Sequence, residues 1–318
     1  MIYEKYFNKK LFQKVNNTKN TIVYGQNITL GSSLSGLSKA PKKLNKDVLV
    51  INSINSENSL VGMGMGLMIS GTNSVFITKQ QDFLVLSFDH LVSTVNALKE
   101  RKCKNFFNII SIAVNSGFEG PQSCLNNSND FYSISGINTF NLNTKNEVDI
   151  FFKYYFNKSG VKIINVAQNL FKKEIINFKI KNNYLKNNNC LKYSNGSHVT
   201  LVGFNFSINK MKDTNQYLKL NNISSTIFSY FFYKDDILTN EIISNLNKTK
   251  ILVLFDDSKS KLKYSDKFLS LILLKYRDIK IFDFRREISS IIPSPNHDQY
   301  TIKTHMLNKL INYLKKNV

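Results

Sequence analysis

The feature that most constrains the fold is a regular alternation of short apolar runs with helical segments. Seven runs of five to eleven residues, rich in apolar and β-branched side chains, are predicted to be strands, and amphipathic or apolar segments separate most of them. Strands that alternate with helices form parallel sheets covered by helices, so the chain is predicted to be α/β. The runs are NTIVYGQN (20–27), SVFIT (74–78), NFFNIISIAVN (105–115), HVTLVGFN (198–205), SSTIFSYF (224–231), TKILVLFDD (249–257) and DIKIFDF (278–284).

The spacing of these runs predicts two domains, each a mainly parallel sheet flanked by helices. A length of 318 residues is sufficient for two cores. The polar, uncapped stretch KNNYLKNNNCLKYSNGS separates three of the runs from the other four, as an interdomain crossing would. We therefore expect a helical arm at 1–20, a first domain at 21–180, a linker at 181–196 and a second domain at 197–318.

The formal charge of +21 would suggest a polyanion partner, but its nearly exclusive origin in lysine favours a solvated lysine-rich surface over a nucleic-acid site. Arginine, whose planar fork suits phosphates and base edges, occurs only at Arg101, Arg277, Arg285 and Arg286, while lysine accompanies asparagine throughout the chain. A lysine-rich nucleic-acid binder remains an alternative, which steep salt-dependent retention of DNA or RNA would support.

Cysteine usage and hydropathy predict an unexported, cytoplasmic chain. Cys103, Cys124 and Cys190 are odd in number, widely spaced and without partners at metal-ligand spacing, which predicts a reducing compartment and no metal site. No apolar run approaches the ~18 residues that cross a bilayer, so no membrane association is expected.

The stretch NSENSLVGMGMG, residues 55–66, combines one carboxylate with three glycines. A phosphate-binding glycine loop lies between a strand and a helix start, whereas these glycines fall inside an apolar segment predicted to be helical. Gly62 and Gly66 are four apart and so share a helical face, where they permit close helix packing. Glu57 precedes them near the helix start, where the helix dipole favours a negative charge.

The register around Glu57 resembles the pyrimidine-binding domain of thiamine-diphosphate enzymes. It is similar to the transketolase group and to the beta subunits of 2-oxo acid dehydrogenases, in which Glu and Gly-x-x-x-Gly are followed by Phe and Asp-Gln on the next helix. The corresponding residues here are Glu57, Gly62, Gly66, Phe83 and Asp89-His90. GPQS at 120–123 resembles the family's Gly-Pro-Thr-His loop, and NGSHVTLVGFN resembles the first strand of its C-terminal domain.

The resemblance implies a role for each of these residues. Glu57 would hydrogen-bond a pyrimidine ring nitrogen of thiamine diphosphate and shift the aminopyrimidine to its imino form, which requires a dry pocket. Phe83 would pack on the pyrimidine ring, although its spacing also suits an ordinary core residue. His90 takes the family's glutamine position and would either line the substrate channel or serve as a structural helix histidine.

Two departures from the family pattern bear on the chemistry. Gln26 stands where the family has a second acidic residue, so a proton relay there is in doubt. Ser123, preceded by Gln122, replaces the loop histidine; a hydroxyl and an amide can hydrogen-bond a substrate, but neither is an acid or base near neutral pH.

The chain contains no Gly-Asp-Gly, the sequence with which the family binds the Mg²⁺ that holds the diphosphate. The resemblance therefore implies half of a cofactor site, with an alpha-type partner chain supplying the diphosphate and Mg²⁺ half, as in a heterotetramer. Gly62 and Gly66 are then candidates for close packing across the subunit interface.

The expected function is the beta-type subunit of a two-component thiamine-diphosphate enzyme, active only with its partner, that cleaves a 2-oxo acid or a ketose. It would transfer the activated aldehyde to an acceptor. The alternatives are a dehydrogenase beta subunit that feeds a lipoyl domain and a non-catalytic scaffold of the same fold.

Overall fold

The chain forms two compact units in the computed structural model. The model describes residues 1–98, 103–117, 119–181, 188–287 and 299–317. Within them, the first unit comprises Met1–Asn177 and the second runs from 178 to 317. The first unit ends at residue 177, whereas the sequence analysis expects the first domain to end at residue 180.

Parallel pairing organises the first unit. Among its described residues, a six-stranded sheet has the order β2-β1-β3-β4-β6-β5, and every pair is parallel. All carboxyl ends therefore lie along one edge. The strands are β1 Thr21–Gly25, β2 Val48–Asn52, β3 Asn73–Thr78, β4 Phe106–Ala113, β5 Asn138–Leu142 and β6 Gly160–Ala167.

Helices cover both faces of this sheet. A right-handed crossover places its helix on one face when the chain moves along the sheet in one direction and on the opposite face when it moves back, as it does from β5 to β6. Helix α2 (Glu57–Ile69), the helical segment 81–98 and α5 (Ser128–Ser135) contact one another on one face. Helices α1 (Tyr3–Asn16) and α6 (Lys145–Tyr154) contact each other on the opposite face. The predicted α/β class with a parallel sheet is confirmed for this unit.

The N-terminal segment, predicted as an arm, is an integral helix of the first unit. Tyr3, Phe7 and Leu11 of α1 are buried, and the Tyr3 hydroxyl donates to the backbone oxygen of Leu142 at the end of β5. Spacings of four residues place these side chains on one helical face, so the helix buries its apolar side against the sheet layer.

The core between the sheet and α2 depends on a glycine that the sequence analysis did not single out. The Tyr24 ring stacks on Phe76 with centroids 5.3 Å apart, and its hydroxyl donates to the Leu60 oxygen of α2 at 2.8 Å. A Cβ at Gly64 would lie 2.3 Å from Phe107 Cζ and 2.4 Å from the Tyr24 hydroxyl oxygen. Gly64 therefore lets α2 lie directly on two buried rings.

The helical segment that follows β3 is interrupted in its described part. It consists of α3 (Gln81–Leu84), a 3₁₀ turn (Val85–Ser87), a π-helical turn (His90–Thr94) and α4 (Val95–Leu98); residues 99 and 100 lie outside the described part. Within the π-helical turn, His90 Nδ1 and Thr94 Oγ1 form a side-chain hydrogen bond 3.0 Å long. Such turns are rare and recur at functional sites.

The second unit repeats the α/β pattern with one antiparallel edge. Over 178–181, 188–287 and 299–317 it forms a five-stranded sheet ordered β11-β10-β8-β9-β7, in which β7 pairs antiparallel with β9 and the other pairs are parallel. The strands are β7 Cys190–Lys192, β8 Val199–Phe204, β9 Ser225–Tyr230, β10 Ile251–Asp256 and β11 Lys280–Asp283. The helices are α7 Ile208–Leu220, α8 Asn240–Thr249, α9 Tyr264–Lys275 and α10 Thr304–Asn317.

Part of the predicted linker, 181–196, belongs to the sheet of the second unit. Residues 182–187 lie outside the described part of the chain, but Cys190 and Leu191 are buried in strand β7. A three-residue strand in an asparagine-rich context carries too little alternation to be recognised from sequence.

Candidate active site

The predicted site residues follow different strands of the first sheet at its carboxyl edge. Gln26 comes directly after β1, Glu57 opens the helix after β2, Phe83 lies in the helix after β3, and Gln122 and Ser123 belong to the loop after β4. Ligands of open α/β sheets bind outside the carboxyl ends of the strands. The topology thus assigns these five residues to the edge where a binding site is expected.

Glu57 is held at the first turn of α2 without an internal counter-charge. The side chain is half-buried, and among the described residues its carboxylate makes no hydrogen bond or ion pair. The preceding Ser56 has φ 105° and ψ 84°, a conformation that costs an L-residue about 1 to 3 kcal/mol and tends to occur at functional sites. The carboxylate is therefore positioned by a strained backbone and available to a ligand.

Phe83 and Gln26 are both half-buried. Leu84 and Gln81 of α3 are fully buried, whereas the Phe83 ring is only partly covered. Gln26 lies in the turn after Tyr24 and Gly25, both fully buried. Partial exposure at the carboxyl edge leaves the Phe83 ring and the Gln26 amide accessible to a ligand.

His90 packs against α2. A Cβ at Gly62 would lie 2.8 Å from His90 Nε2, so the glycine makes room for the imidazole ring. Nδ1 is engaged with Thr94. Within the described residues, the close approach at Gly62 is therefore internal to the first unit, and the ring is committed to packing between two helical segments.

Gly66 faces open space. Nothing lies within 4 Å of a Cβ built at this position, and the neighbouring Met63 and Ile69 are exposed on the same side of α2. Ile51 of the edge strand β2 and Ile54, which precedes α2, are exposed as well. The outer side of α2 thus presents an apolar surface with a glycine in it.

The loop that carries Ser123 is tightly folded. The Ser123 hydroxyl donates to Gln80 Oε1 at 2.7 Å. The backbone N–H of Ser123 donates to the backbone oxygen of Gly120 at 3.0 Å, and the backbone oxygen of Ser123 accepts from the backbone N–H of Glu119 at 3.0 Å. Gln122, by contrast, is exposed. The Ser123 hydroxyl is therefore held in place by the Gln80 side chain. Gln122 is associated with the site only through its position in the loop.

Asp82 clamps the same loop and was missed by the sequence analysis. Its two carboxylate oxygens accept the backbone N–H groups of Cys124 at 3.0 Å and Leu125 at 3.1 Å. Hydrogen bonds from backbone amides to a carboxylate are among the stronger protein hydrogen bonds. The available signal was its position, since Asp82 lies just beyond the end of a predicted strand.

A cavity of about 390 Å³ opens at this edge. Its polar lining comes from the ends of several strands, and the Gln168 amide donates to the Glu119 carboxylate within it. The lining includes Asn27, Lys79, Gln80, Glu119 and Gln168. These residues also were not predicted, because single polar residues after strands are common in loops.

A network of hydrogen bonds between uncharged, buried side chains connects the elements that form this edge. Gln81 Nε2 donates to Asn165 Oδ1 at 2.8 Å, Ser111 donates to the same oxygen at 2.6 Å, and Asn165 Nδ2 donates to Ser128 Oγ at 3.0 Å and to Asn141 Oδ1 at 3.1 Å. All five residues are fully buried. A connected buried network of this kind rigidifies the elements that carry it.

The described residues of the site supply hydrogen-bonding groups and the Glu57 carboxylate, which has no partner among them. Among the described residues, no three His, Cys, Asp or Glu side chains are grouped to hold a metal ion. No helix in the described part of the chain is long and apolar enough to cross a membrane. The edge can therefore share a proton at Glu57 and accept a hydrogen bond from a substrate hydroxyl at Ser123.

Comparison with known proteins identifies the fold. No protein-family model matches the chain, and no curated protein matches it at a significant level. Among solved structures, the chain is similar to a split-gene transketolase described as an inactive β4 tetramer. The TM-score is 0.73 over 99% of this chain and 98% of that chain, at 12% sequence identity. The chain has a transketolase-like fold, as the resemblance around Glu57 predicts.

Proposed function

We propose that the chain is the beta-type subunit of a two-component thiamine-diphosphate enzyme acting on a 2-oxo acid or a ketose. The observation that carries this proposal is the half-buried Glu57 carboxylate at the carboxyl edge of a transketolase-like sheet, which has no partner among the residues that the structure describes. The neighbour's description as a split-gene transketolase supports a divided enzyme at the level of the fold.

The residues present suit the pyrimidine half of the cofactor. When bound, thiamine diphosphate supplies a carbon nucleophile for attack on a carbonyl group. Glu57 would share a proton with a pyrimidine ring nitrogen, and the Phe83 ring would pack on the pyrimidine. Gln26, where the family has an acid, would contribute a neutral hydrogen bond at most.

The diphosphate half does not fit this chain. A hard cation that bridges two phosphates requires several oxygen ligands, and the sequence lacks the Gly-Asp-Gly that supplies them in this family. We therefore assign Mg²⁺ and the diphosphate to an alpha-type partner. The neighbour, a tetramer of β chains, is described as inactive, which agrees with activity that depends on a second component.

The outer side of α2 is the proposed partner surface. Gly66 leaves its backbone open to a neighbouring helix, and the exposed Met63 and Ile69 supply apolar area beside it. Gly62 contributes indirectly, because the absence of a side chain there makes room for the His90 ring against α2. A heterotetramer of two alpha and two beta chains would bury this surface.

The loop chemistry favours carbon–carbon bond formation over transfer to a lipoyl group. Reductive transfer to a lipoyl sulfur calls for acid–base help that the family's loop histidine is well placed to give, and Ser123 remains neutral across the working range. Its hydroxyl donates its proton to Gln80 Oε1, so its oxygen can accept a hydrogen bond from a hydroxyl group of a sugar acceptor and orient that acceptor.

We expect the reconstituted complex to join the activated aldehyde to a small aldehyde or keto-sugar, and Ser123→Ala to lower this transfer by about tenfold. The experiment supplies candidate 2-oxo acids and ketoses with either carbonyl acceptors or a lipoylated domain. Ser133→Ala, which removes an exposed hydroxyl of the same unit, is the matched control. Rapid acylation of the lipoyl domain would instead identify a dehydrogenase subunit.

A non-catalytic scaffold is the second candidate. The acidic position after β1 and the histidine position of the loop are both neutral here, as Gln26 and Ser123. Tight binding to the partner without thiamine-dependent turnover of any donor would establish that role.

A further inference from the structure

The second unit contains a cleft of about 710 Å³ that the proposed chemistry does not use. Its walls are the segment after β11, the start of α9 and the segment that leads into α10. The cleft thus lies at the carboxyl end of β10 and β11 and at the N-terminal end of α9. Both are places where α/β proteins bind anions.

The charges that line the cleft are mostly positive. Within the described residues, five cationic side chains and three carboxylates line it: Lys261, Lys263, Arg285, Arg286 and Lys303, with Asp266, Asp283 and Glu287. All three carboxylates already have partners, because Arg285 binds Asp266 and Asp283 and Lys303 binds Glu287.

Two lysines at this cleft make no ion pair within the described part of the chain. Lys261 is exposed at the mouth. Lys263 is only 7% exposed, and its ammonium makes a single long hydrogen bond of 3.4 Å to the Ser260 oxygen. Burial lowers the pKa of Lys263, partly offset by the nearby Asp256. A buried ammonium with unused donors is strongly stabilised by an anion.

The remaining lining suits the organic part of a ligand. Phe284, Ile302 and Met306 are apolar, and Tyr300 donates its hydroxyl to the Phe284 oxygen at 2.5 Å, which fixes its ring under the Arg286 guanidinium 5.6 Å away. The volume lies within the range of small-molecule sites. Two ammonium groups that make no ion pair with any described residue match the two negative charges of a phosphate monoester better than the single charge of a carboxylate.

We propose that this cleft binds a small phosphorylated metabolite, with Lys263 and Lys261 contacting the phosphate and Phe284 and Met306 contacting the organic part. The site belongs to the second unit alone and does not depend on the function proposed for the first.

Isothermal titration of the full chain with inorganic phosphate and with pyrophosphate, at low ionic strength and without Mg²⁺, tests the proposal. We expect saturable binding that weakens by about tenfold in Lys263→Met and about threefold in Lys261→Ala. Lys275→Ala removes an exposed lysine from the other end of α9 and should leave the affinity within about twofold of wild type. Glu57→Gln, in the first unit, should also leave it unchanged.

Either of two results would overturn the proposal. One is the absence of saturable binding at about 10 mM of either probe, which corresponds to an affinity too weak for a built site. The other is equal weakening by Lys261→Ala and Lys275→Ala, which would reduce the effect to net charge. Since Lys261 is exposed, its variant gives this answer even if Lys263→Met fails to fold.

Discussion

Replacing Glu57 by glutamine in the reconstituted complex should lower turnover by about a hundredfold or more while assembly stays intact. Glutamine occupies nearly the same space at the first turn of α2, but its amide cannot share a proton with a pyrimidine nitrogen. Steady-state kinetics at saturating cofactor give the loss, and size-exclusion chromatography gives the assembly state.

Glu174→Gln is the matched control, because Glu174 is an exposed carboxylate of the same unit that pairs only with the N-terminal ammonium at 3.6 Å among the described residues. We expect its turnover to remain near wild type. Activity of Glu57→Gln within a few-fold of wild type would make Glu57 a structural helix-start residue.

Alanine at Gly64 and alanine at Gly66 should change stability in opposite directions. At Gly64, the new Cβ would meet Phe107 and the Tyr24 hydroxyl at 2.3 to 2.4 Å, and such overpacking costs about 1 to 3 kcal/mol or more. At Gly66, the Cβ meets nothing within 4 Å, and replacing a helical glycine by alanine stabilises by about 1 kcal/mol. The two positions share one helix, so each is the other's control.

Because the chain has no tryptophan, circular dichroism during urea unfolding is the suitable measurement for both variants. A loss of stability at both positions would mean that the outer side of α2 is covered within the isolated chain. Equal stability at Gly64 would mean that the rings of Tyr24 and Phe107 move aside without cost.

The fold class could be predicted because most buried strands are continuous apolar runs between helices. Strands β2, β5 and β6 of the first sheet are not among the seven predicted runs, and the first two lack that signal. Strand β2 lies at the edge of the sheet with Leu49 and Ile51 exposed, and β5 carries Asn138 and Asn141. The Asn141 side chain is buried and accepts a hydrogen bond from Asn165, a compensation that no local pattern reveals.

The site could be predicted only in part, because spacing identifies positions and the tertiary structure decides their contacts. Gly62 and Gly66 share a helical face, yet the His90 ring packs against Gly62, whereas nothing lies within 4 Å of a Cβ built at Gly66. Helix α2 is apolar on most sides, so its sequence does not distinguish Gly64, the glycine in the core, from its neighbours. Asp82 and Gln80 acquire their roles through bonds to a loop about forty residues away.

Calorimetric titration of thiamine diphosphate and Mg²⁺ tests the central claim, a cofactor site divided between two chains, most directly. The isolated chain should show no sub-micromolar binding, because it lacks the Mg²⁺ ligands. Addition of an alpha-type chain that carries Gly-Asp-Gly should produce tight binding that Glu57→Gln weakens. Sub-micromolar binding of the cofactor by the isolated chain would contradict the divided site.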